Sequence, residues 1–150
     1  MKLKILFTII LFTFASLGSA DELRKAVDSE DRSEKNIVRD EFRKPYETLS
    51  FFQLEPDMTI VELSPGGGWY TEILANFIRK SGNLIAAHFS KDSDRAYFRN
   101  SRINFEKKVK ENSLYEKVRV VDLNSKLSDP SSVDAVLTFR NLHNLSLIHI

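Results

Sequence analysis

The sequence contains no cysteine, one tryptophan, five glycines and four prolines among its 150 residues. Without cysteine the chain cannot form disulfide bonds, thiolate metal sites or a cysteine nucleophile, and no lipid can be attached to a cysteine near the N-terminus. No charge of one sign dominates, because 22 basic residues are balanced by 21 acidic ones. This balance does not suggest a nucleic-acid partner. With 42% hydrophobic and 29% charged residues, the composition is that of one globular domain.

A long hydrophobic run is also missing, since the apolar residues 5–17 fall short of the ~20 residues that a membrane-spanning helix needs. This run follows Lys2 and Lys4 and precedes Gly18-Ser19-Ala20, which is the arrangement of a secretory signal peptide. We expect residues 1–20 to be a signal peptide cleaved after Ala20, with a retained membrane anchor as the alternative. Cleavage would change the formal charge from +1 to −1, because two lysines and no acid are removed. The mature protein is then expected in the periplasm or secreted, without a stable membrane anchor.

Three of the five glycines are consecutive, and the apolar pattern changes around them. The apolar run 59–61 leads to Glu62, and after Gly66-Gly67-Gly68 the apolar residues recur at helical spacing through residues 70–78. The pattern predicts a buried strand, a glycine turn and an amphipathic helix. Such a turn leaves backbone N–H groups free at a helix N-terminus and lets a ligand approach the main chain. Because Glu62 lies at the carboxyl end of the strand, where open α/β sheets bind ligands, the stretch predicts a nucleotide-type site.

The rest of the chain predicts further strands that alternate with helical segments. The predicted elements after the glycine turn are strands at residues 84–89, 118–123 and 133–139 and a helix at residues 101–111. Before the first strand, residues 21–36 are predicted to be a solvated, partly helical lead-in. Two short helices at 33–43 and 45–52 follow, with one apolar face that contains Val38, Phe42, Tyr46, Leu49 and Phe52. The alternation favours an α/β fold with a parallel sheet and right-handed crossovers.

The glycine turn also carries a family resemblance. Glu62-Leu63-Ser64-Pro65-Gly66-Gly67-Gly68 resembles motif I of the class I S-adenosylmethionine-dependent methyltransferases, an acid followed by a G-x-G-x-G turn. Residues 39–49, 65–74 and 136–144 resemble, in this order, three blocks of the predicted exported branch of that family. Ser64 stands where most class I enzymes have the first glycine, and Pro65 supplies no N–H donor.

The resemblance implies a domain organisation. It implies a Rossmann-like class I methyltransferase fold with a doubly wound, mostly parallel sheet, of which the first four strands are present. Residues 21–58 would form the helical lead-in and residues 59–144 the N-terminal part of the methyltransferase-like domain. We expect residues 145–150 to be a non-native tail, with a genuine short last strand as the alternative. The chain would then be a fragment that is inactive by itself.

The resemblance further implies methyl transfer from S-adenosylmethionine to an unknown acceptor, largely by positioning of the two reactants. The implied cofactor-binding residues are Glu62, Ser64, Gly66, Gly67, Gly68 and Asp122. Asp122 would lie near the adenine, although a turn-capping role is equally compatible with its position. No acid follows the second strand where the ribose is normally bound, and His88 is either its substitute or a histidine at the rim of the site without a role.

The implied catalytic residues lie in the loop after the fourth strand. His143 would act as a general base near neutral pH, and Asn141 and Asn144 would orient a nucleophile; a structural role for the histidine is the alternative. Arg39 and Arg43 on the lead-in would cover the pocket or form a solvated helix face. The three histidines lack suitably spaced acidic partners, so no metal site is predicted.

Two other functions compete with methyl transfer. A dinucleotide-binding oxidoreductase fragment is disfavoured, because the glycines lack G-x-G-x-x-G spacing and the acid precedes the turn. An exported, non-catalytic protein that keeps the fold is favoured by export itself, since S-adenosylmethionine is made in the cytoplasm.

Overall fold

The computed structural model describes residues 18–141. The apolar run of the predicted signal peptide, His143, Asn144 and the predicted tail lie outside these residues. The helices are α1 (18–27), α2 (Glu34–Ile37), α3 (Asp40–Arg43), α4 (Pro45–Phe51), α5 (Trp69–Ile78) and α6 (Ala96–Glu111), and a 3₁₀ turn covers Ser113–Tyr115. The strands are β1 (Thr59–Leu63), β2 (Asn83–His88), β3 (Val118–Asp122) and β4 (Ala135–Thr138).

The four strands form one parallel sheet in the order β3-β2-β1-β4. In the centre of the sheet, Val61 of β1 pairs with Ile85 of β2 on one side and Val136 of β4 on the other. Helix α5 connects β1 to β2, and α6 connects β2 to β3. The predicted α/β fold with a parallel sheet is therefore confirmed, and the strand order is consistent with a Rossmann-like doubly wound fold.

The strand order reverses direction between β1 and β4. The chain moves from β1 outward through β2 to β3 and then returns to place β4 on the free side of β1. In open parallel sheets the crevice outside the carboxyl ends of the strands at such a reversal is where ligands bind. The topology thus locates a crevice at the ends of β1 and β4.

Both faces of the sheet are covered, but unequally. The larger apolar cluster packs helical side chains against alternate strand residues: Leu23, Ala26, Leu49, Ile73, Leu74, Ile78 and Phe105 against Ile60, Leu84, Ala86 and Leu137. The smaller cluster on the other face contains Val61, Ile85 and Ala87, with Leu123, Leu127 and Val133 from the segment between β3 and β4 packed against it. This alternation follows from the period of two in a strand.

The lead-in departs from the prediction in two respects. Leu23, Ala26 and Val27 of α1 are buried in the core, so the prediction of a solvated segment is wrong there. Conversely, Val38 and Phe42 are 64% and 81% exposed, so the predicted apolar face is formed only at Tyr46 and Leu49, which pack into the core. The physical reason is that the segment is three short helices, and Lys44 adopts a left-handed φ of 46° between the last two, which turns their faces apart.

Candidate functional site

A cleft of about 470 Å³ opens at the carboxyl ends of β1 and β4. Its walls come from three separate parts of the sequence. The lead-in contributes Lys35, Asn36, Arg39 and Arg43; β1, the glycine turn and the start of α5 contribute Glu62, Ser64, Pro65, Gly66, Gly67, Trp69 and Tyr70; and the segment after β4 contributes Phe139, Arg140 and Asn141. The cleft therefore contains most of the described residues for which a site role was predicted.

The glycine turn presents open backbone to the cleft. Gly66 has a left-handed φ of 58°, and a Cβ built on Gly66 or on Gly67 would meet no atom within 4 Å. The N–H groups of Gly66 and Gly67 donate to no acceptor within residues 18–141. These two donors are thus available to a ligand that approaches the main chain.

At Gly68 a side chain is excluded by packing within the protein, and not by the cleft. Its φ is 77°, and a Cβ there would lie 2.9 Å from Cε2 of Phe105 on α6. Helix α5 begins directly after it, and its carbonyl accepts the N–H of Glu72 at 3.2 Å. Gly68 therefore allows α6 to pack closely against the turn, whereas Gly66 and Gly67 keep the cleft open.

Glu62 lies at the base of the cleft and is 2% exposed. Its Oε2 accepts a 2.6 Å hydrogen bond from Oγ1 of Thr71, in the first turn of α5, while Oε1 has no hydrogen-bond partner among the described residues. Burial raises the pKa of Glu62 to about 7, and the Thr71 hydrogen bond and the nearby Lys108 charge oppose this rise. The site thus holds a buried acid that is poised to change charge near neutral pH.

Ser64 adopts a conformation that is unusual for a residue with a side chain. Its φ is 53°, in the left-handed region where a glycine would meet less strain. Its backbone is fixed from both sides: the N–H donates to the carbonyl of Ala87 at 2.8 Å, and the carbonyl accepts from Nδ2 of Asn141 at 2.8 Å. Its Oγ is buried and lacks a partner within the described part of the chain. A buried hydroxyl of this kind marks a place for a ligand or an ordered water.

His88 is the last residue of β2 and is completely buried. The alternative prediction, a histidine at the rim of the site, is therefore wrong. Nδ1 accepts the N–H of Phe89 at 2.8 Å, which leaves Nε2 as the donor to the carbonyl of Gly66 at 3.1 Å. Burial lowers the pKa of His88, and Arg102 lowers it further, against the opposite influence of the Gly66 carbonyl. His88 is therefore a neutral support for the glycine turn, with both ring nitrogens already engaged.

Asp122 ends β3, two strands away from β1, and is not part of the cleft wall. Its Oδ1 accepts a 2.9 Å hydrogen bond from Nη1 of Arg102, which is buried and also donates to the carbonyls of Phe89 and Val121. Arg102 thereby joins the carboxyl ends of β2 and β3 to α6. A contact of Asp122 with an adenine stays a prediction.

The lead-in is attached to the glycine turn through a carboxylate that sequence reasoning missed. Glu72 of α5 is 2% exposed and accepts hydrogen bonds from Ser33 at 2.8 Å and from Asn36 at 2.7 Å, and Lys108 lies 3.1 Å from it. Burial raises the pKa of Glu72, but these hydrogen bonds and the Lys108 charge outweigh it and hold the pKa below its ordinary value. Glu72 thus fixes α2 beside the cleft as an ionised carboxylate.

Aromatic rings complete the walls. Nε1 of Trp69 donates to the carbonyl of Asn36 at 2.8 Å, and the guanidinium of Arg43 lies 4.6 Å from the Trp69 ring centroid. Tyr70 and Phe139 stack with ring centroids 3.5 Å apart. Phe139 and Arg140 lie within the block 136–144 that carries the family resemblance but were assigned no role, and Asn36 carried no periodic or motif signal that could have singled it out.

Comparison with known proteins does not assign the chain to a family. No protein-family model matches the chain, and no curated protein is significantly similar to it. No group of three or more histidine or acidic side chains is arranged to hold a metal ion within residues 18–141. In the same part of the chain, no helix has the length and apolar character needed to cross a membrane.

Proposed function

We propose that the cleft binds S-adenosylmethionine and that the protein belongs to a methyl-transfer system whose acceptor is unknown. The observation that carries this proposal is the pairing of the buried Glu62 carboxylate with the open backbone of Gly66 and Gly67 at the carboxyl end of β1. The parallel sheet and its reversal between β1 and β4 support a nucleotide-type ligand at this place.

The donors and acceptors in the cleft fit such a cofactor. Glu62 lines the cleft with one oxygen that no described residue satisfies, and it would hold the ammonium of the amino-acid portion. The unpartnered Oγ of Ser64 and the N–H groups of Gly66 and Gly67 would receive its polar oxygens. When bound, this cofactor supplies an electrophilic methyl group on a sulfonium.

The chain's own contribution would be largely positional. Asn141 is anchored on the Ser64 carbonyl, so the segment after β4 lies against the glycine turn, on the side where an acceptor would meet the methyl group. A site that holds two reactants in line reduces much of the entropic cost of bringing them together. A general base at His143 stays a prediction, because that residue lies outside the described part of the chain.

The proposal is tested by calorimetric titration of S-adenosylmethionine and S-adenosylhomocysteine into the protein and its Glu62→Gln variant. We expect binding by the wild type and at least a tenfold loss of affinity in the variant, because the amide cannot neutralise an ammonium. The matched control is Glu116→Gln, which removes an exposed carboxylate outside the cleft wall and should bind as the wild type does.

The same titrations discriminate the alternatives, provided that circular dichroism shows each sample to be folded. Binding of NAD⁺ without binding of S-adenosylhomocysteine would favour the oxidoreductase fragment. Binding of neither by folded protein would contradict the proposal and favour a non-catalytic exported protein.

A further inference from the structure

Three arginines from two distant parts of the sequence line the same cleft. Arg39 and Arg43 come from the lead-in, and Arg140 follows β4. Glu62 is the only acid among the described residues of the cleft wall. The cleft wall therefore carries more positive charge than its single buried carboxylate can balance.

Arg39 and Arg140 are exposed and Arg43 is half-buried, and they differ from two other cations, one on the lead-in and one on α6, that have carboxylate partners. Arg32 lies 2.6 Å from Asp40, and Lys108 lies 3.1 Å from Glu72. By contrast, Arg39, Arg43 and Arg140 form no ion pair with any carboxylate in residues 18–141. Lys108, and not these arginines, is the cation that acts on Glu62.

Arg43 is also close enough to the other two arginines to be repelled by their charges. The pKa of Arg43 is lowered first by its burial and then by the charges of Arg39 and Arg140. Arg140 in addition holds a left-handed φ of 59°, a conformation that costs free energy in a residue with a side chain. A bound anion would offset the repulsion between these like charges.

We propose that Arg39, Arg43 and Arg140 form an anion-binding subsite that holds a carboxylate or phosphate group of the methyl acceptor. Guanidinium groups suit this task, because their planar donors match the oxygens of both anions in a bidentate geometry. The subsite itself stands on the three side chains alone. The assignment of the anion to the acceptor rests on the proposed function.

The anion subsite is tested first without any cofactor, by titrating inorganic phosphate into the protein at low ionic strength and following the arginine Nε–H resonances by NMR. We expect saturable shifts and at least a tenfold weaker affinity in the triple variant R39Q/R43Q/R140Q. The control R79Q/R95Q/R119Q removes the same number of positive charges from exposed arginines outside the cleft wall. It should bind phosphate as the wild type does.

Arg140→Gln alone provides a second variant, because Arg140 is exposed and its loss leaves the core intact. It should weaken phosphate binding severalfold in a fully folded protein. Absence of saturable binding to the wild type would overturn the proposal, as would equal weakening in the cleft variants and the matched control.

A second titration distinguishes the possible sources of the anion. If phosphate still binds to protein saturated with S-adenosylhomocysteine, the subsite belongs to the acceptor as proposed. If S-adenosylhomocysteine displaces phosphate competitively, the arginines hold the cofactor's own carboxylate and the assignment to the acceptor is overturned. If S-adenosylhomocysteine does not bind while phosphate binds through the arginines, the proposed function fails and the anion subsite stands.

Discussion

Nδ2 of Asn36 donates a 2.7 Å hydrogen bond to Oε2 of Glu72, and this bond joins the lead-in to the helix that follows the glycine turn. The two residues are 36 positions apart in sequence. Because the Asn36 carbonyl also accepts from Nε1 of Trp69, the amide group and the backbone of one residue hold α2 against α5. One wall of the cleft therefore depends on a buried polar contact.

Replacing Asn36 with alanine should destabilise the protein by roughly 1–3 kcal/mol, because the buried Glu72 carboxylate loses a donor that it cannot replace with water. Urea unfolding at pH 7 measures this difference. The control is Asn100→Ala on the exposed surface of α6, for which we expect less than about 0.5 kcal/mol. Equal stability of the two variants would show that the Asn36–Glu72 contact contributes nothing.

Glu62 should make the stability of the protein depend on pH. Its folded pKa is raised from 4.5 to about 7, so between these values the folded state keeps a proton that the unfolded state has lost. Stability is then greatest below pH 4.5, falls as the pH rises to 7 and is level above it. The fall should amount to about 3 kcal/mol, from 1.36 kcal/mol per pKa unit.

This pH effect is measured as the difference between the wild type and Glu62→Gln in urea unfolding at pH 5 and pH 8. The variant lacks the titrating group, so its stability relative to the wild type should increase from the lower to the higher pH. The difference isolates Glu62, because all other groups are present in both proteins. A constant difference across this range would contradict a raised pKa.

His88 should have the opposite dependence. Because its folded pKa is lowered, the unfolded state binds a proton first as the pH falls below the ordinary value of 6.5. The folded state therefore loses stability from about pH 6.5 downward. His88→Gln can still offer an N–H to the Gly66 carbonyl but has no proton to gain, so its stability should decline less between pH 7 and pH 5. An NMR titration showing His88 protonated at or above pH 6.5 would rule this out.

The glycines of the turn should respond differently to the same substitution. Gly68→Ala places a Cβ 2.9 Å from Phe105 in a left-handed conformation, and should cost roughly 2–4 kcal/mol of stability. Gly67→Ala meets open space and no left-handed φ, and should change stability by less than about 0.5 kcal/mol. Its added methyl group would instead weaken ligand binding at the cleft. Thermal unfolding and calorimetric titration separate the two effects, and similar losses of stability in both variants would refute the distinction.

Much of the sheet could be predicted from local pattern. The apolar run at Ile60 and Val61, the three glycines and the helical spacing from Tyr70 define a strand, a turn and a helix without any long-range information. The same holds for β2 and β3, whose predicted bounds differ from the observed ones by one residue at the ends. The buried strand β2 is a nearly continuous apolar segment, so its sequence identifies it directly, whereas the edge strand β3 is only partly buried.

The predictions failed where burial depends on distant partners. The helical spacing of Val38 and Phe42 was compatible with a helix face that packs into the core. The left-handed backbone at Lys44 and the shortness of the helices leave both residues exposed. His88 could not be placed by sequence either, because its burial and its bond to Gly66 depend on how the turn folds back over β2.

By itself the sequence determined the α/β alternation, the glycine turn and the position of Glu62 at the end of a strand, because these follow from local apolar periodicity and backbone freedom. Only the tertiary structure decided that Arg39, Arg43 and Arg140 share one cleft and that Glu72 fixes the lead-in beside it. Strand order and side-chain pairing bring together residues more than a hundred positions apart, and no local sequence pattern determines that they are neighbours in the fold.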